Sequence, residues 1–162
     1  MRIADICSQR VVCVAPDASI SEAARLMHDQ DIGALVVTRD GKREPIGIVT
    51  DRDIVTRIVA SGRDPRAVPV SEAMSGAPTT CHGNHDLLDV MEMMRQHGIR
   101  RVPVVDAQSA LIGIVTTDDI IGALAGHVLV LARSVLSEDA LERRRYRDEG
   151  VAGSVGKRAG KA

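Results

Sequence analysis

The chain has 162 residues, of which 44% are hydrophobic and 27% are charged, a composition typical of a globular protein with its own core. Tyr146 is the only aromatic residue, which excludes the aromatic stacking that usually binds single-stranded nucleic acid. The net charge of −1 excludes strong attraction of a polyanion to the surface as a whole.

The cysteines and the apolar runs indicate the compartment. Cys7, Cys13 and Cys81 are few, scattered and odd in number, which favours a reducing cytoplasm over a disulfide framework. The opening residues, MRIADICSQR, contain no long apolar run and predict no signal peptide. The apolar run VLVLA at 128–132 is short and is followed by charge, so we predict no membrane span.

The first predicted elements are a strand and a helix. VVCV at 11–14 is a β-branched run that stops at Pro16, as strands do. Ser19 followed three residues later by Glu22 predicts a helix N-cap with a capping box. Apolar residues at helical spacing then predict an amphipathic helix over 20–29.

Two further strands and a second helix follow. ALVV at 34–37 and PIGIVT at 45–50 predict strands joined through a turn at Asp40-Gly41. DIVTRIVA at 53–60 predicts the next helix. The order in this half of the chain is therefore strand, helix, strand, strand, helix.

The same order is written a second time. With an offset of 67, Ser19 falls on Asp86 and Met27 on Met94, and with an offset of 66, GIVTDRD falls on GIVTTDD. A three-stranded sheet with helices on one face leaves its other face open. We therefore predict an α/β (α+β) fold of two pseudo-symmetric β-α-β-β-α repeats packed through their sheets, plus a C-terminal helix.

The remaining segments complete the predicted organisation. The stretch between the copies holds two prolines and two glycines, which predicts a linker with a short helix at 70–74. HVLVLARSVLSEDALERRRYRDE predicts a helix in which Val128, Leu131, Val135 and Leu136 are buried against the module or a second subunit. The predicted boundaries are a first repeat at 1–62, a linker at 63–76, a second repeat at 77–126, a helix at 127–149 and a disordered tail at 150–162.

The repeated heptapeptide carries the chemistry. Thr50 ends a strand and Asp53 lies in the first turn of the next helix, where exposed N–H groups attract anions. A carboxylate there can accept hydrogen bonds from two vicinal hydroxyls, as on a ribose, although threonine and aspartate are also good helix caps. Gly47 and Gly113 leave room for a ligand or a neighbouring strand.

These motifs resemble CBS domains, which are named for cystathionine β-synthase and whose tandem is called a Bateman module. The resemblance covers about three quarters of the chain and is carried by VxxVxPDxSIxEAxxLM in the first copy, IRRVPVVD in the second and GIVTxxD in both. It implies a stand-alone regulatory module that binds an adenine nucleotide (AMP, ADP or ATP) or a related adenosyl ligand. It also implies a homodimer and a regulated protein in trans, with no required cofactor.

The resemblance also implies site residues. Ribose and phosphate contacts fall on Thr50, Asp53, Thr116 and Asp119, and phosphate contacts on Arg100 and Arg101, whose counterparts are Gly33 and Ala34. The two sites are therefore expected to be unequal. The base pocket would be lined by the first strands and by four isoleucines that are otherwise core residues: Val12, Cys13, Val14, Ala15, Thr80, Cys81, His82, Ile32, Ile48, Ile99 and Ile114. The second copy departs from the family pattern, since Gly83 stands where Pro16 stands.

The sequence evidence for a metal site or for catalysis is weaker than the evidence for ligand binding. Cys81, His82, His85 and His97 lie near one another in sequence, but their spacing does not complete a zinc site. No nucleophile with its base can be traced, and no G-x-x-x-x-G-K-[ST] loop is present. We therefore predict no enzyme and no metal.

Two other functions stay open. One is a structural dimerisation module whose pocket is vestigial. The other is a regulator associated with nucleic acid through the arginine-rich C-terminal helix, although its acids favour an ion-paired surface there; the arginines are Arg143, Arg144, Arg145 and Arg147.

Overall fold

The computed structural model describes residues 1–39 and 43–155, with side-chain surroundings given through Ser137. The predicted turn at Asp40-Gly41 and the side chains of the arginine-rich segment lie outside the described residues. Residues Met1–Ile120 form one compact unit and the chain from Ile121 onwards forms another.

The first copy has the predicted order of elements. Ser19 caps its first helix and forms the expected capping box with Glu22, so that the start of the helix agrees with the sequence. The second helix begins as an α-helix and continues as a π-helical segment. The elements are β1 (Cys13–Val14), α1 (Ile20–Gln30), β2 (Ala34–Thr38), β3 (Pro45–Thr50), α2 (Asp51–Asp53, continuing over Ile54–Val59) and β4 (Ser75–Gly76).

The second copy repeats this order. Asp86 is the N-cap of its first helix, at the position that corresponds to Ser19. Its elements are β5 (Cys81–His82), α3 (Leu87–His97), β6 (Arg101–Val105), β7 (Leu111–Thr116) and α4 (Thr117–Val155).

Each copy has its own sheet. One sheet has the order β1-β2-β3-β4 and the other has the order β5-β6-β7. The first two strands of each are parallel and the next pair is antiparallel, as a strand–helix–strand–strand chain requires. The α/β class is confirmed, with one addition: the end of the predicted linker forms β4, which pairs with β3.

The two copies exchange their leading segments, which we define as residues 3–8 and 70–75. Each begins with a short 3-10 helix, at Ile3–Asp5 and at Val70–Glu72. Ile3 is fully buried in the core of the second copy, whereas Val70 is fully buried in the core of the first. Packing therefore crosses the predicted repeat boundaries.

Backbone hydrogen bonds hold the exchanged segments in the same way on both sides. The N–H groups of Val70 and Ser71 donate to the carbonyls of Ala18 and Pro16, at 2.8 and 2.9 Å. The N–H groups of Ile3 and Ala4 donate to the carbonyls of His85 and Gly83, at 3.1 and 2.9 Å. Pro16 and Gly83 thus hold equivalent positions, and glycine suits the second because a Cβ there would lie 3.3 Å from Ala4 Cβ.

The two motif glycines lie beneath these leading segments. A Cβ on Gly47 would lie 2.9 Å from the carbonyl oxygen of Ser75, and one on Gly113 would lie 3.0 Å from that of Ser8. The sequence predicted that these glycines leave room for either a ligand or a neighbouring strand. In this structure the close neighbour is the leading segment of the other copy.

The C-terminal helix is longer than predicted. Two helices, at 118–125 and 127–149, were expected, but α4 continues from Thr117 to Val155 and includes the first six residues of the predicted tail. Residues 156–162 lie outside the described residues.

The apolar part of this helix is also longer than the run at 128–132. Residues 120–132 contain no Asp, Glu, Lys or Arg, because the preceding helix of the second copy runs directly into it. By length and composition alone, the 21 residues Thr117–Ser137 could therefore cross a membrane. The same pattern is found in helices that pack against a protein partner.

Candidate functional site

Among the cavities that lie between the copies, two are lined by residues of the GIVT motifs. The larger, called cavity A, has a volume of about 550 Å³, within the range of small-molecule sites. It lies where the end of β3 and the start of α2 meet the segment that enters β6. Its lining residues are Ile48, Thr50, Asp51, Arg52, Ser75, Gly98, Ile99, Arg100 and Arg101.

The smaller cavity, called cavity B, has a volume of about 190 Å³ and a mostly aliphatic lining. It lies where the segment before β1 and the first half of β2 meet β7 and the first residue of β6. Its lining residues are Arg10, Val11, Val12, Ile32, Gly33, Ala34, Val36, Arg101, Ile114 and Thr116.

The lining of each cavity crosses from one copy to the other. Thr50 of the first copy shares cavity A with Ile99 of the second, and Thr116 of the second shares cavity B with Ile32 of the first. Each cavity therefore takes its helix entrance from one copy and the segment before a central strand from the other. Neither copy could form either cavity alone.

Cavity A concentrates positive charge. Arg52, Arg100 and Arg101 line it together with a single carboxylate, that of Asp51. None of the three arginines takes part in the ion pairs between described side chains. Because guanidinium groups bind phosphate oxygens in a bidentate way, this wall suits a phosphate.

The motif aspartates are engaged in caps. Asp53 Oδ2 accepts hydrogen bonds from the backbone N–H of Thr50 at 3.0 Å and from its Oγ1 at 2.6 Å. Asp119 Oδ2 accepts the same two bonds from Thr116, at 2.8 and 2.7 Å. Both aspartates are partly buried, and neither is among the residues that line cavity A or B.

Comparison with known proteins identifies the family. The model of the CBS domain matches residues 3–60 and 70–126, and both matches begin at an exchanged leading segment. The chain belongs to the CBS-domain family. Its two copies are a CBS pair, as the sequence motifs predicted.

Relatives of this CBS pair include stand-alone proteins. CBS domain-containing protein YhcV of Bacillus subtilis is 42% identical over 118 residues, which cover 73% of this chain and 81% of YhcV. Hypoxic Response Protein I, solved with two coordinated zinc ions, is 35% identical with a TM-score of 0.67, over 75% of this chain and 97% of that one. Hypoxic response protein 1 of Mycobacterium tuberculosis is 35% identical over 138 residues, which cover 85% of this chain and 95% of that protein.

A third similar structure contains adenosyl ligands. The CBS domain pair of protein MJ0100, in complex with 5′-methylthioadenosine and S-adenosyl-L-methionine, has a TM-score of 0.70 and is 28% identical. The match covers 78% of this chain and 98% of that chain.

The structure brings together some of the predicted site residues of the CBS pair. Those that line cavity A or B are Thr50, Thr116, Arg100, Arg101, Val12, Ile32, Ile48, Ile99 and Ile114. The four isoleucines are all half-buried, so they are available to a ligand.

Other predicted base-pocket residues lie elsewhere. Val14 and Cys81 are 6% and 1% exposed and belong to the two cores. Burial raises the pKa of the Cys81 thiol to about 11, with a further contribution from Cys7. Cys13 lines a third cavity between the copies, of about 210 Å³, together with Leu111. His82 lines a concavity of the second copy, and Ala15 and Thr80 are absent from the linings of cavities A and B. The role of these four residues in base binding stays a prediction.

Several lining residues were not predicted. Asp51 lies inside the GIVTDRD motif, so the motif itself could have indicated it. Gly98 is the left-handed C-cap of α3, and a glycine after a helix is a recognisable signal. Arg10 and Ser75 reach the cavities only through the way the leading segments fold, which the sequence pattern does not show.

The histidine cluster forms a separate surface. His82, His85 and Asp106 line an open concavity of about 460 Å³ at the second copy, and the two imidazole rings are 5.6 Å apart in an edge-to-face arrangement. Among the described side chains, no three His, Cys, Asp or Glu are close enough together to hold a metal ion. The absence of a metal stays a prediction.

Proposed function

We propose that this CBS pair is a regulatory module that binds an adenine nucleotide or a related adenosyl ligand between its copies. The observation that carries the proposal is cavity A, where Arg52, Arg100 and Arg101 face a helix entrance and two isoleucines. Arginines and a helix N-terminus suit phosphate, and aliphatic walls suit a base. The adenosyl ligands of the MJ0100 pair support this ligand class.

The proposed pose places the phosphates against the arginines and Thr50, with the base between Ile48 and Ile99. The ribose then lies near the entrance of α2, close to Asp53. Because Asp53 Oδ2 is engaged by Thr50, the ribose contact is assigned to the remaining oxygen, Oδ1, whose present neighbour is Arg57 Nε at 3.4 Å.

Cavity B is proposed as a second, unequal site. Its volume of about 190 Å³ is below the usual range for a small-molecule site, so a ligand there must widen it or be smaller. The two cavities differ more in volume than in charge, since cavity B also contains two arginines, Arg10 and Arg101. The predicted inequality of the sites therefore comes mainly from their size.

The module is proposed to act on another protein and to have no catalytic activity of its own. Ligand binding would change the positions of the two copies, which share both cavities, and so alter a contact with a regulated protein. We place the protein in the cytoplasm, where its three free cysteines, Cys7, Cys13 and Cys81, would stay reduced.

A homodimer is proposed on the evidence of α4. Ile121, Leu124, Val128 and Leu131 recur at the spacing of one helical face, whereas Arg133 lies on the opposite side. The side chains of Val128, Leu131, Val135 and Leu136 are 61–67% exposed in this single chain. So many exposed apolar side chains on one helix favour packing against a second subunit.

The test is a thermal-shift panel with AMP, ADP, ATP, adenosine and S-adenosylmethionine, with GMP for base selectivity. A ligand present at 100 times its Kd should stabilise the protein by about 2.7 kcal/mol. Arg100→Gln, Asp53→Ala and Asp119→Ala should each lose part of the shift. Arg95→Gln is the control, because Arg95 is paired with Glu92 on α3 and lines neither cavity.

Two results would contradict the proposal. If no adenosine-containing ligand raises the midpoint, the pocket is vestigial and the module is structural. If a ligand binds but Arg100→Gln leaves its shift unchanged, the phosphate is not in cavity A.

A further inference from the structure

One arginine lines both cavities. Arg101 is the first residue of β6, and its Cα is paired with that of Thr116 at the end of β7. It shares cavity A with Arg52 and Arg100, and it shares cavity B with Arg10. It is the residue that the two linings have in common.

The guanidinium of Arg101 lies over Gly33, on the wall of cavity B. Its Nη2 is 3.6 Å from the position that a Cβ on Gly33 would occupy, and Asp51 Oδ2, from cavity A, is 3.1 Å from the same point. Gly33 and Ala34 correspond to Arg100 and Arg101 in the duplicated sequence. The first copy therefore has small residues where the second copy has arginines. As a result, the guanidinium of Arg101 lies between the two cavities.

We propose that Arg101 couples the two cavities, so that an anionic ligand in one lowers the affinity of the other for an anionic ligand. This inference rests on the proposed function. The planar guanidinium presents a bidentate edge to one phosphate at a time, so a phosphate in cavity A takes the donor that cavity B would use. Two phosphates beside one guanidinium also repel each other.

Cavity B depends on Arg101 more than cavity A does. Without Arg101, cavity A keeps Arg52 and Arg100. Cavity B keeps only Arg10, whose Nη2 already donates to Gln30 Oε1 at 2.9 Å. When cavity A holds a phosphate, cavity B therefore selects an uncharged adenosyl ligand over a nucleotide. Coupling between sites typically changes affinity by about 5- to 150-fold, and we expect about tenfold here.

The experiment uses the full chain with labelled isoleucine methyl groups, because isoleucines report on each cavity separately. Ile48 and Ile99 report on cavity A, and Ile32 and Ile114 report on cavity B. AMP and adenosine are the probes, since they share a base and a sugar and differ in the phosphate. Ser75→Trp blocks cavity A from an exposed position, and the methyl spectrum shows whether the variant is folded.

In the otherwise wild-type chain, blocking cavity A should strengthen AMP binding at the cavity B reporters about tenfold. Adenosine binding there should change less than twofold. In Arg101→Gln the block should make no difference for AMP. In the matched variant Arg52→Gln, which removes an arginine that lines cavity A alone, the tenfold effect should persist.

The coupling is overturned if AMP fills both cavities and the block has no effect, if the effect survives in Arg101→Gln, or if only cavity A ever responds. The proposed function stands in all three cases. If AMP and adenosine do not move the methyl groups of cavity A, the proposed function fails, and the coupling fails with it.

Discussion

Thr50 and Asp53 form a reciprocal pair of hydrogen bonds at the start of α2. Thr50 Oγ1 donates to Asp53 Oδ2 at 2.6 Å, and the backbone N–H of Asp53 donates to Thr50 Oγ1 at 3.1 Å. Thr116 and Asp119 repeat the arrangement at the start of α4, at 2.7 and 3.2 Å. The aspartate of each motif therefore fixes a helix entrance whether or not a ligand is present.

Removing one of these carboxylates should destabilise the fold and test its ligand role at the same time. Asp119→Ala should lower the free energy of unfolding by about 1 kcal/mol, measured in urea, because it opens a capping box. Asp118→Ala is the control, since Asp118 is an exposed acid in the same helical turn. If Asp119 also holds a ribose, the stabilisation by a bound adenosine ligand should fall as well. If the stabilisation by the ligand is unchanged in Asp119→Ala, the role of Asp119 is limited to the helix cap.

The motif glycines should not tolerate a methyl group. Gly47→Ala should cost about 1–3 kcal/mol, because its Cβ would lie 2.9 Å from the backbone oxygen of Ser75, which cannot move as a flexible side chain can. Gly122→Ala on α4, where nothing lies within 4 Å, should instead stabilise slightly through helix propensity. Urea unfolding compares the two. Equal stability of both variants would show that the leading segment yields easily.

The exchange of leading segments predicts an effect in the opposite copy. Ile3→Ala should cost about 2–5 kcal/mol, because Ile3 is fully buried in the core of the second copy. Hydrogen exchange should show the loss of protection in α3 and in β5 to β7, with α1 less affected. Arg2→Ala, at the exposed residue beside Ile3, is the control. Loss of protection in α1 first would contradict the exchange.

Cys81 should make stability fall at alkaline pH. Its folded pKa of about 11 lies above the ordinary thiol value of 9.0, so its contribution is full below a pH of about 9 and is lost as pH rises through about 11. The loss should be about 2–3 kcal/mol in unfolding experiments between these pH values. Cys81→Ala should be less stable at neutral pH but show a shallower decline. If the stability of Cys81→Ala falls with pH as steeply as that of the wild type, the alkaline loss comes from other titrating groups.

Self-association through α4 can be tested with two valines of equal exposure. Val128 and Val130 are both 63% exposed, but they lie on nearly opposite sides of the helix. Val128→Lys should weaken the dimer in light-scattering measurements, whereas Val130→Lys should not. If both variants dissociate equally, the apolar sector is not the contact. If the wild type partitions into membranes, α4 acts as a lipid anchor instead.

Much of the fold could be predicted from the sequence, because helix caps and β-branched runs depend only on residues that are close together in the chain. Ser19 with Glu22 gave the correct start of α1, and the β-branched runs gave the strands, although β1 is only Cys13–Val14. The exchange of Ile3 with Val70 could not be predicted, since a repeat offset is the same whether a segment packs on its own copy or on the other. β4 was missed for the same reason.

The candidate site was predicted less completely than the fold. Arg100 and Arg101 were found from their position before a strand, but their grouping with Thr50 and Arg52 across the two copies depends on how the copies pair. The residues of the first strands were assigned by family resemblance, and Val14 and Cys81 instead lie in the cores. Periodicity distinguishes buried from exposed positions, but it does not show which buried positions border a cavity.

The exchanged leading segments also bear on how such a protein can arise and be divided. A first copy expressed alone, as residues 1–62, would keep its leading segment 3–8 without the second copy that buries it, and the carbonyls of Ala18 and Pro16, which bind residues 70–71, would be left without partners. Such a fragment would complete its core only by exchanging its leading segment with a second copy. The smallest folding unit of this architecture is therefore a pair of copies. Two separately expressed fragments should regain their structure only when they are mixed.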